Sequence, residues 1–387
     1  MSALEGAATT AAPGPDAAYR DPSLPVGERV RDLLARMSLE EKLAQLGSAW
    51  VFQLADGSQL DAAKADGLLG HGLGQVTRIS GASSLAAPDA AALANTIQRH
   101  LVERTRLGVP AIVHEEICSG VMARGSTIFP QAIGLASTWE PDLAAALADA
   151  ARVQMRATGA HQALSPVLDI CRDPRWGRTE ETFGEDPHLV ARMGVAFVRG
   201  LQGDDLGMGV IATAKHFVGY GASEGGLNWA PAHIGARELR EVHLHPFEAV
   251  VRDAGVRAVM NAYNELDGVP VAADRTLLTT VLRDEWGFEG CVVSDYFAIR
   301  QLATYHHLAV DATDAAVIAL EAGLDVELPG TDCYGEPLLA AVRSGRVPES
   351  RIDVAVGRVL RAKVELGLFE RPYVDLGRAA AAVDTSE

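Results

Sequence analysis

The sequence predicts an α/β fold, a TIM-like (β/α)8 barrel with an irregular or incomplete first unit. From about residue 70 to residue 330, short apolar or β-branched runs alternate with helix-like amphipathic segments, which is βα repetition. The runs are apolar throughout rather than alternating, as strands covered on both faces must be. Polar and charged residues collect just past the end of each run, where the loops of such a barrel converge on one mouth.

Seven runs stand in order: Gly74 to Ile79, Pro110 to Val113, Ala163 to Leu168, Val210 to Ala214, Arg257 to Met260, Cys291 to Val293 and Leu324 to Val326. Ala49 to Leu54 is the candidate for an eighth. Helix signals fill the intervals. Ser38 and Glu41 form a capping box ahead of an apolar face of Leu39, Leu43 and Leu46. Leu93, Ile97 and Leu101 make an i, i+4 stripe that ends at Gly108. Further helices start at Pro141, Pro187 and Arg237, and Asp274 is placed to cap one carrying Leu277, Leu278, Val281 and Leu282. Pro348 to Leu368 reads as the last helix. Residues 1–27 are then expected to be a flexible leading segment, 28–370 the barrel, and the alanine-rich 371–387 a linker-like tail.

Composition narrows the function classes. The 387 residues are 48% hydrophobic and 22% charged, which is ordinary for a globular chain. A net charge of −17 repels phosphate backbones and anionic lipid, so neither nucleic acid nor membrane is expected as a partner. No apolar stretch approaches the roughly 18 residues of a membrane helix. The opening nineteen residues lack the basic start and apolar run of a signal peptide, so a cytoplasmic location is expected. Cys118, Cys171, Cys291 and Cys333 are widely separated with no zinc-type spacing; reduced thiols, no metal and no cofactor are expected.

The strand ends can be read in turn. After the second run come His114, Glu115 and Glu116, after the third Asp169, Arg172 and Asp173, after the fourth Lys215 and His216. The fifth is followed by Asn261, Tyr263 and Asn264, the sixth by Ser294 and Asp295, the seventh by Glu327. Carboxylates mixed with Lys, Arg, His and aromatic rings suit an uncharged, hydroxyl-rich ligand such as a sugar. Glycosyl transfer needs an ionised carboxylate as nucleophile and a protonated acid, about 5 Å apart where configuration is retained.

Longer motifs then follow one another along the chain: VPAIVHEEICSG from Val109, CRDPRWGR from Cys171 followed by FGEDP from Phe183, AKHFVGYG from Ala214, PAHIGARELRE from Pro231, VMNAYNELDGVP from Val259 and WGFEGCVVSDY from Trp286. On these motifs, over roughly residues 28 to 376, the chain resembles the N-terminal barrel domain of glycoside hydrolase family 3, its β-glucosidase and β-xylosidase members most of all. The resemblance implies hydrolysis of terminal β-linked sugars, from oligosaccharides or aryl β-glycosides, through a covalent glycosyl-enzyme on Asp295. It makes Glu116, Arg178, Lys215 and His216 ligands of sugar hydroxyls and Tyr263 the group that steadies the nucleophile. Tyr296 stands where the family often has Trp and would wall the next sugar subsite. A carboxylate beside a lysine should have its pKa lowered.

Plainer readings stand beside these. Asp295 could cap a helix, Lys215 and Arg178 could be structural ion pairs, and Tyr263 and Tyr296 could simply pack. Asp169, Asp173 and the acidic pair of FGEDP read as scaffold, Cys118 as an inert thiol, and His243, His245, His306 and His307 as solvent-exposed.

No residue matches a general acid/base. In the family's two-domain members that carboxylate comes from the second domain, which is expected to be the missing partner here. The single-domain N-acetylglucosaminidases use a His in a KHFPGHG context; here Val218 and Tyr220 stand in place of its Pro and His. Glu224 is the one nearby candidate, although the corresponding segment of the two-domain glucosidases is not the acid. Weak hydrolysis is the expectation, and a catalytically impaired sugar-binding barrel is the alternative. A phosphate-binding barrel enzyme is disfavoured, since no Gly-rich loop opens a helix after the last runs.

Overall fold

The structure is a computed structural model that describes residues 16–383 together with residues 12 and 14. Seven parallel strands pair in chain order: β1 (Ser48–Trp50), β2 (Gln75–Thr77), β3 (Ile112–Glu115), β4 (Gln162–Ala163), β5 (Ile211–Phe217), β6 (Ala258–Asn261) and β7 (Cys291–Val293). Apart from the half-exposed Trp50, every residue of these strands is buried, because helices cover the outside and side chains fill the inside. Prominent among the helices are α1 (Val26–Arg36), α2 (Leu39–Leu46), α3 (Ala87–Arg104), α4 (Pro141–Thr158), α5 (Pro187–Gln202), α6 (His245–Ala254), α7 (Ala312–Ala322), α8 (Glu336–Arg343) and α9 (Glu349–Glu365). The capping box ahead of α2 forms as expected, with Ser38 N donating to Glu41 Oε2 at 2.8 Å and Glu41 N to Ser38 Oγ at 3.3 Å.

The eighth segment closes the ring. Residues 324–328 bridge β7 through Ser294 N to Val326 O and Asp325 N to Val292 O, both 2.8 Å. On their other side Glu327 N donates to Leu46 O at 2.8 Å and Ser48 Oγ to Glu327 O at 2.9 Å. Asp325 anchors this closure from beneath. Its carboxylate accepts from Val292 N at 2.8 Å and pairs with Arg283 and Arg358, each at 2.7 Å.

Three strands differ in length from expectation. β1 stops at Trp50, and Val51–Leu54 turns helical. β4 has only two ladder residues, and pairing resumes where Val167 bridges Lys215. β5 runs on to Phe217, with an irregular register against β6 between Ala214 and Phe217. Such a bulge re-aims the side chains inside it, here Lys215 and His216.

Described residues near both ends of the chain pack against the barrel, against expectation. Tyr19 is buried, its hydroxyl donating to Leu107 O at 2.7 Å while Arg29 Nε holds its carbonyl at 2.9 Å. Within the described part of residues 1–27, Ala17 and Tyr19 are therefore anchored to the barrel; the rest of that expectation lies partly outside the described residues. The tail forms α10 (Leu376–Val383), whose Ala379 and Val383 pack one turn apart against α3 and α4, in place of a linker. Residues 384–387 lie outside the described set. Among the described residues no helix is long and apolar enough to cross a membrane.

Candidate active site

Strand ends place the site. Glu116 follows β3, Lys215 and His216 lie at the end of β5, Tyr263 follows β6, and Asp295 and Tyr296 follow β7. Arg178 arrives from the long loop after β4. All seven residues singled out in the sequence meet at one mouth.

Asp295 sits at the centre. Its Oδ1 accepts from Tyr296 N at 2.7 Å, whereas Oδ2 is buried and accepts from nothing. His216 Nε2 stands 3.6 Å from that free oxygen. Burial pushes the Asp295 carboxyl up to about 6, and Arg178, Lys215 and the Tyr296 amide pull against it without prevailing. The expectation of a lowered value is thus overturned: neighbouring cations were legible in the sequence, and desolvation was not. Asp295 is no helix cap either. The helix Ala298–Thr304 begins at Phe297 with no side-chain cap.

His216 is oriented from behind by Asp169, whose Oδ2 accepts from the His216 amide at 3.0 Å and meets Nδ1 at 2.7 Å. Burial beside Arg178 and Lys215 holds the imidazole well below its usual pKa, so the ring is neutral. With its proton on Nδ1, it presents an Nε2 lone pair to a ligand hydroxyl.

The cations are paired within the site. Lys215 Nζ donates to Glu116 Oε2 at 2.8 Å, and Arg178 forms a two-pronged bond to Glu181 at 2.7 and 2.7 Å. Both plain and functional readings of Lys215 and Arg178 therefore describe the same atoms. The cavity they border has a volume of about 270 Å³. Arg78, Arg178 and Lys215 face Glu116, Glu180 and Glu181 across it, so cations and carboxylates match in number. That balance offers donors and acceptors together without a net field, which suits a neutral polyol and not an anion.

Aromatic rings pack against one another beside the site, outside the lining of that cavity. Tyr263 donates its hydroxyl to Tyr296 O at 2.8 Å. Tyr296 bonds His114 Nε2 at 3.1 Å and meets Trp50 edge-on at 5.5 Å between centroids, with Phe52 stacked beyond. Trp229 lies against Tyr263 and Tyr305. Tyr220, fully buried, packs under His216 and Tyr263.

Several side chains of this cluster escaped the sequence reading. Asp169, read as scaffold, positions His216. Glu181 was legible only as the i+3 partner of Arg178, and Trp229 lies in a loop without periodicity. Glu224, the candidate acid, is exposed and stands 3.7 Å from His233. Two expected exposures are corrected: His243 is buried, and His306 is enclosed by its 2.8 Å bond to Glu265. Cys118 borders the cavity, with burial raising its thiol to about 11, and is unreactive on that account. Among the described residues no group of three His, Cys, Asp or Glu side chains is arranged to hold a metal.

The Glycosyl hydrolase family 3 N terminal domain matches residues 38–362. A beta-xylosidase of Formosa agariphila is 41% identical over 281 residues, 68% of the chain and 39% of that protein. The periplasmic beta-glucosidase of Salmonella typhimurium is 34% identical over 360 residues, 92% of the chain and 44% of that protein. The solved structure of a β-glucosidase from Erythrobacter marinus superposes with a TM-score of 0.90 at 38% identity, covering 96% of the chain and 49% of that structure. The chain thus spans less than half the length of each of these relatives.

Proposed function

Because the chain belongs to glycosyl hydrolase family 3, we propose that it forms the catalytic barrel of a retaining β-glycosidase acting on terminal β-linked glucosyl or xylosyl units. Asp295 is the nucleophile in this reading, Glu116, Arg178, Lys215 and His216 hold the sugar hydroxyls, and Tyr263 and Tyr296 complete the pocket. One observation carries it: a buried carboxylate oxygen with no hydrogen-bond partner, facing a neutral imidazole beside a charge-balanced cavity. Attack of Asp295 Oδ2 on the anomeric carbon forms the glycosyl ester as the bond to the leaving oxygen breaks, and water later hydrolyses that ester. A 2-deoxy-2-fluoro glycosyl fluoride should label Asp295 covalently, seen as a mass increase on the peptide bearing it. Sugar binding without such an adduct would favour the binding-only alternative.

The leaving oxygen needs a proton from a second carboxylic acid. Glu116 and Glu181 are engaged by Lys215 and Arg178, Asp169 is shut behind His216, and Glu224 faces solvent. None of these four is placed for that task. The purified 387 residues are accordingly expected to turn over a 4-nitrophenyl β-glycoside, whose leaving group needs little help, about 10²–10⁴-fold better in kcat/KM than cellobiose. Comparable values for the two would mean that an acid lies within the chain.

The nucleophile must be ionised. With the Asp295 carboxyl at about 6, kcat/KM for the aryl substrate should fall roughly tenfold per pH unit on the acid side of that value. A profile flat down to pH 4 would contradict the burial argument.

A further inference from the structure

A second cavity, of about 280 Å³, opens at the other end of the barrel. Its walls come from the C-terminal half of α4, from Met208 in the loop before β5, and from the segment running from Arg371 into α10. His161, which immediately precedes β4, lies at its back, so the cavity is at the N-terminal ends of the strands. Asp295 follows the C-terminal end of β7, and the thickness of the barrel separates the two sites.

Four arginines, Arg152, Arg156, Arg371 and Arg378, line this cavity in a chain whose net charge is −17. Arg152 is paired with Asp149. Among the described residues the other three have no carboxylate within 4.0 Å. Arg156 and Arg371 both donate to Gly207 O, at 3.1 and 3.0 Å, which brings two like charges onto one carbonyl. Two carboxylates stand nearby without pairing these arginines: Asp375, which lines the cavity, accepts from Gly377 N, and Asp205, whose charge favours the Arg156 cation, accepts from Gly207 N, each at 2.9 Å. Arg156 Nη1 is buried and donates to nothing. Burial and its neighbours Arg371 and Arg152 lower the Arg156 pKa, yet a guanidinium keeps its proton at neutral pH. Three clustered cations, one with an idle buried donor, are a costly arrangement unless an anion completes them.

We propose that this cavity is a binding site for a phosphate group, either inorganic phosphate or the headgroup of a small organic phosphate monoester. Guanidinium forks match a tetrahedral oxyanion in two-pronged fashion. His161 adds a donor, since its Nδ1 accepts from Val113 N at 3.2 Å and its proton is therefore on Nε2. Val153, Ala157 and Tyr373 supply an apolar wall against which an organic body can rest.

Calorimetric titration of the full chain with inorganic phosphate and with a hexose monophosphate, at fixed ionic strength, tests the proposal. Saturable one-site binding with a dissociation constant of about 1 mM or tighter is expected for at least one probe. Arg371→Gln and Arg378→Gln, both at exposed side chains whose loss leaves the core intact, should each weaken it by ~10-fold or more. Arg237→Gln, which removes an exposed arginine elsewhere, should not. Tighter binding of the hexose monophosphate assigns the apolar wall to the organic body, and equal binding assigns the site to phosphate alone. No saturable heat with either probe, or binding undiminished in both cavity variants, overturns the proposal.

Discussion

Replacing Asp295 by Asn is expected to lower turnover of an aryl β-glycoside by about 10⁴-fold or more while raising the melting temperature. Loss of activity follows because the amide cannot form the glycosyl ester. The gain in stability follows from the same burial. A carboxyl whose folded value is about 6, against 3.8 when solvated, binds its proton more tightly in the folded chain. Its contribution to stability is therefore complete below 3.8 and is lost as the pH rises through 6. At neutral pH the ionised group costs about 3 kcal/mol, which Asn removes while its side-chain oxygen still accepts from the Tyr296 amide. The stabilities of wild type and Asp295→Asn should converge near pH 4, separate between pH 4 and 6 and keep a constant offset above that. Stabilities that stay parallel across the whole range would mean that the carboxylate is solvated. Catalysis and stability at this residue thus run in opposite directions with pH.

Asp325→Ala should be the most destabilising single truncation outside the mouth, by about 3–5 kcal/mol in chemical unfolding. The carboxylate is 1% exposed, and removing it strands the Arg283 guanidinium, 8% exposed, and leaves Arg358 and the Val292 amide without their acceptor. Glu241→Ala, which breaks the exposed pair with Arg237, should leave the unfolding midpoint unchanged. A change of under 1 kcal/mol at Asp325 would show that water replaces the carboxylate at both arginines.

What could be read before folding was whatever depends on strand ends. Glu116, Lys215, His216, Tyr263 and Asp295 each follow or finish an apolar run, and the barrel carries all such positions to one face. Arg78 obeys the same rule and was missed, because the apolar run was continued to Ile79 and enclosed it. The backbone leaves the strand at Arg78 itself, with φ of 55°. Arg178 became visible only through its motif, since a loop has no period to read. Properties set by tertiary burial were out of reach: the direction of the Asp295 shift, the enclosure of His243 and His306, and the groove on α3 and α4 that receives the small side chains of α10.

The seal between Leu46 and residues 324–328 also governs how the molecule can be made. β1 through β7 are all synthesised before the strip that joins them. Until then the two outermost strands of the nascent sheet present bare amides and carbonyls, ready to template a foreign strand. Translation at about 5–20 residues per second puts roughly 2–7 s between the end of β7 and the end of that strip, an interval in which chaperones have something to hold.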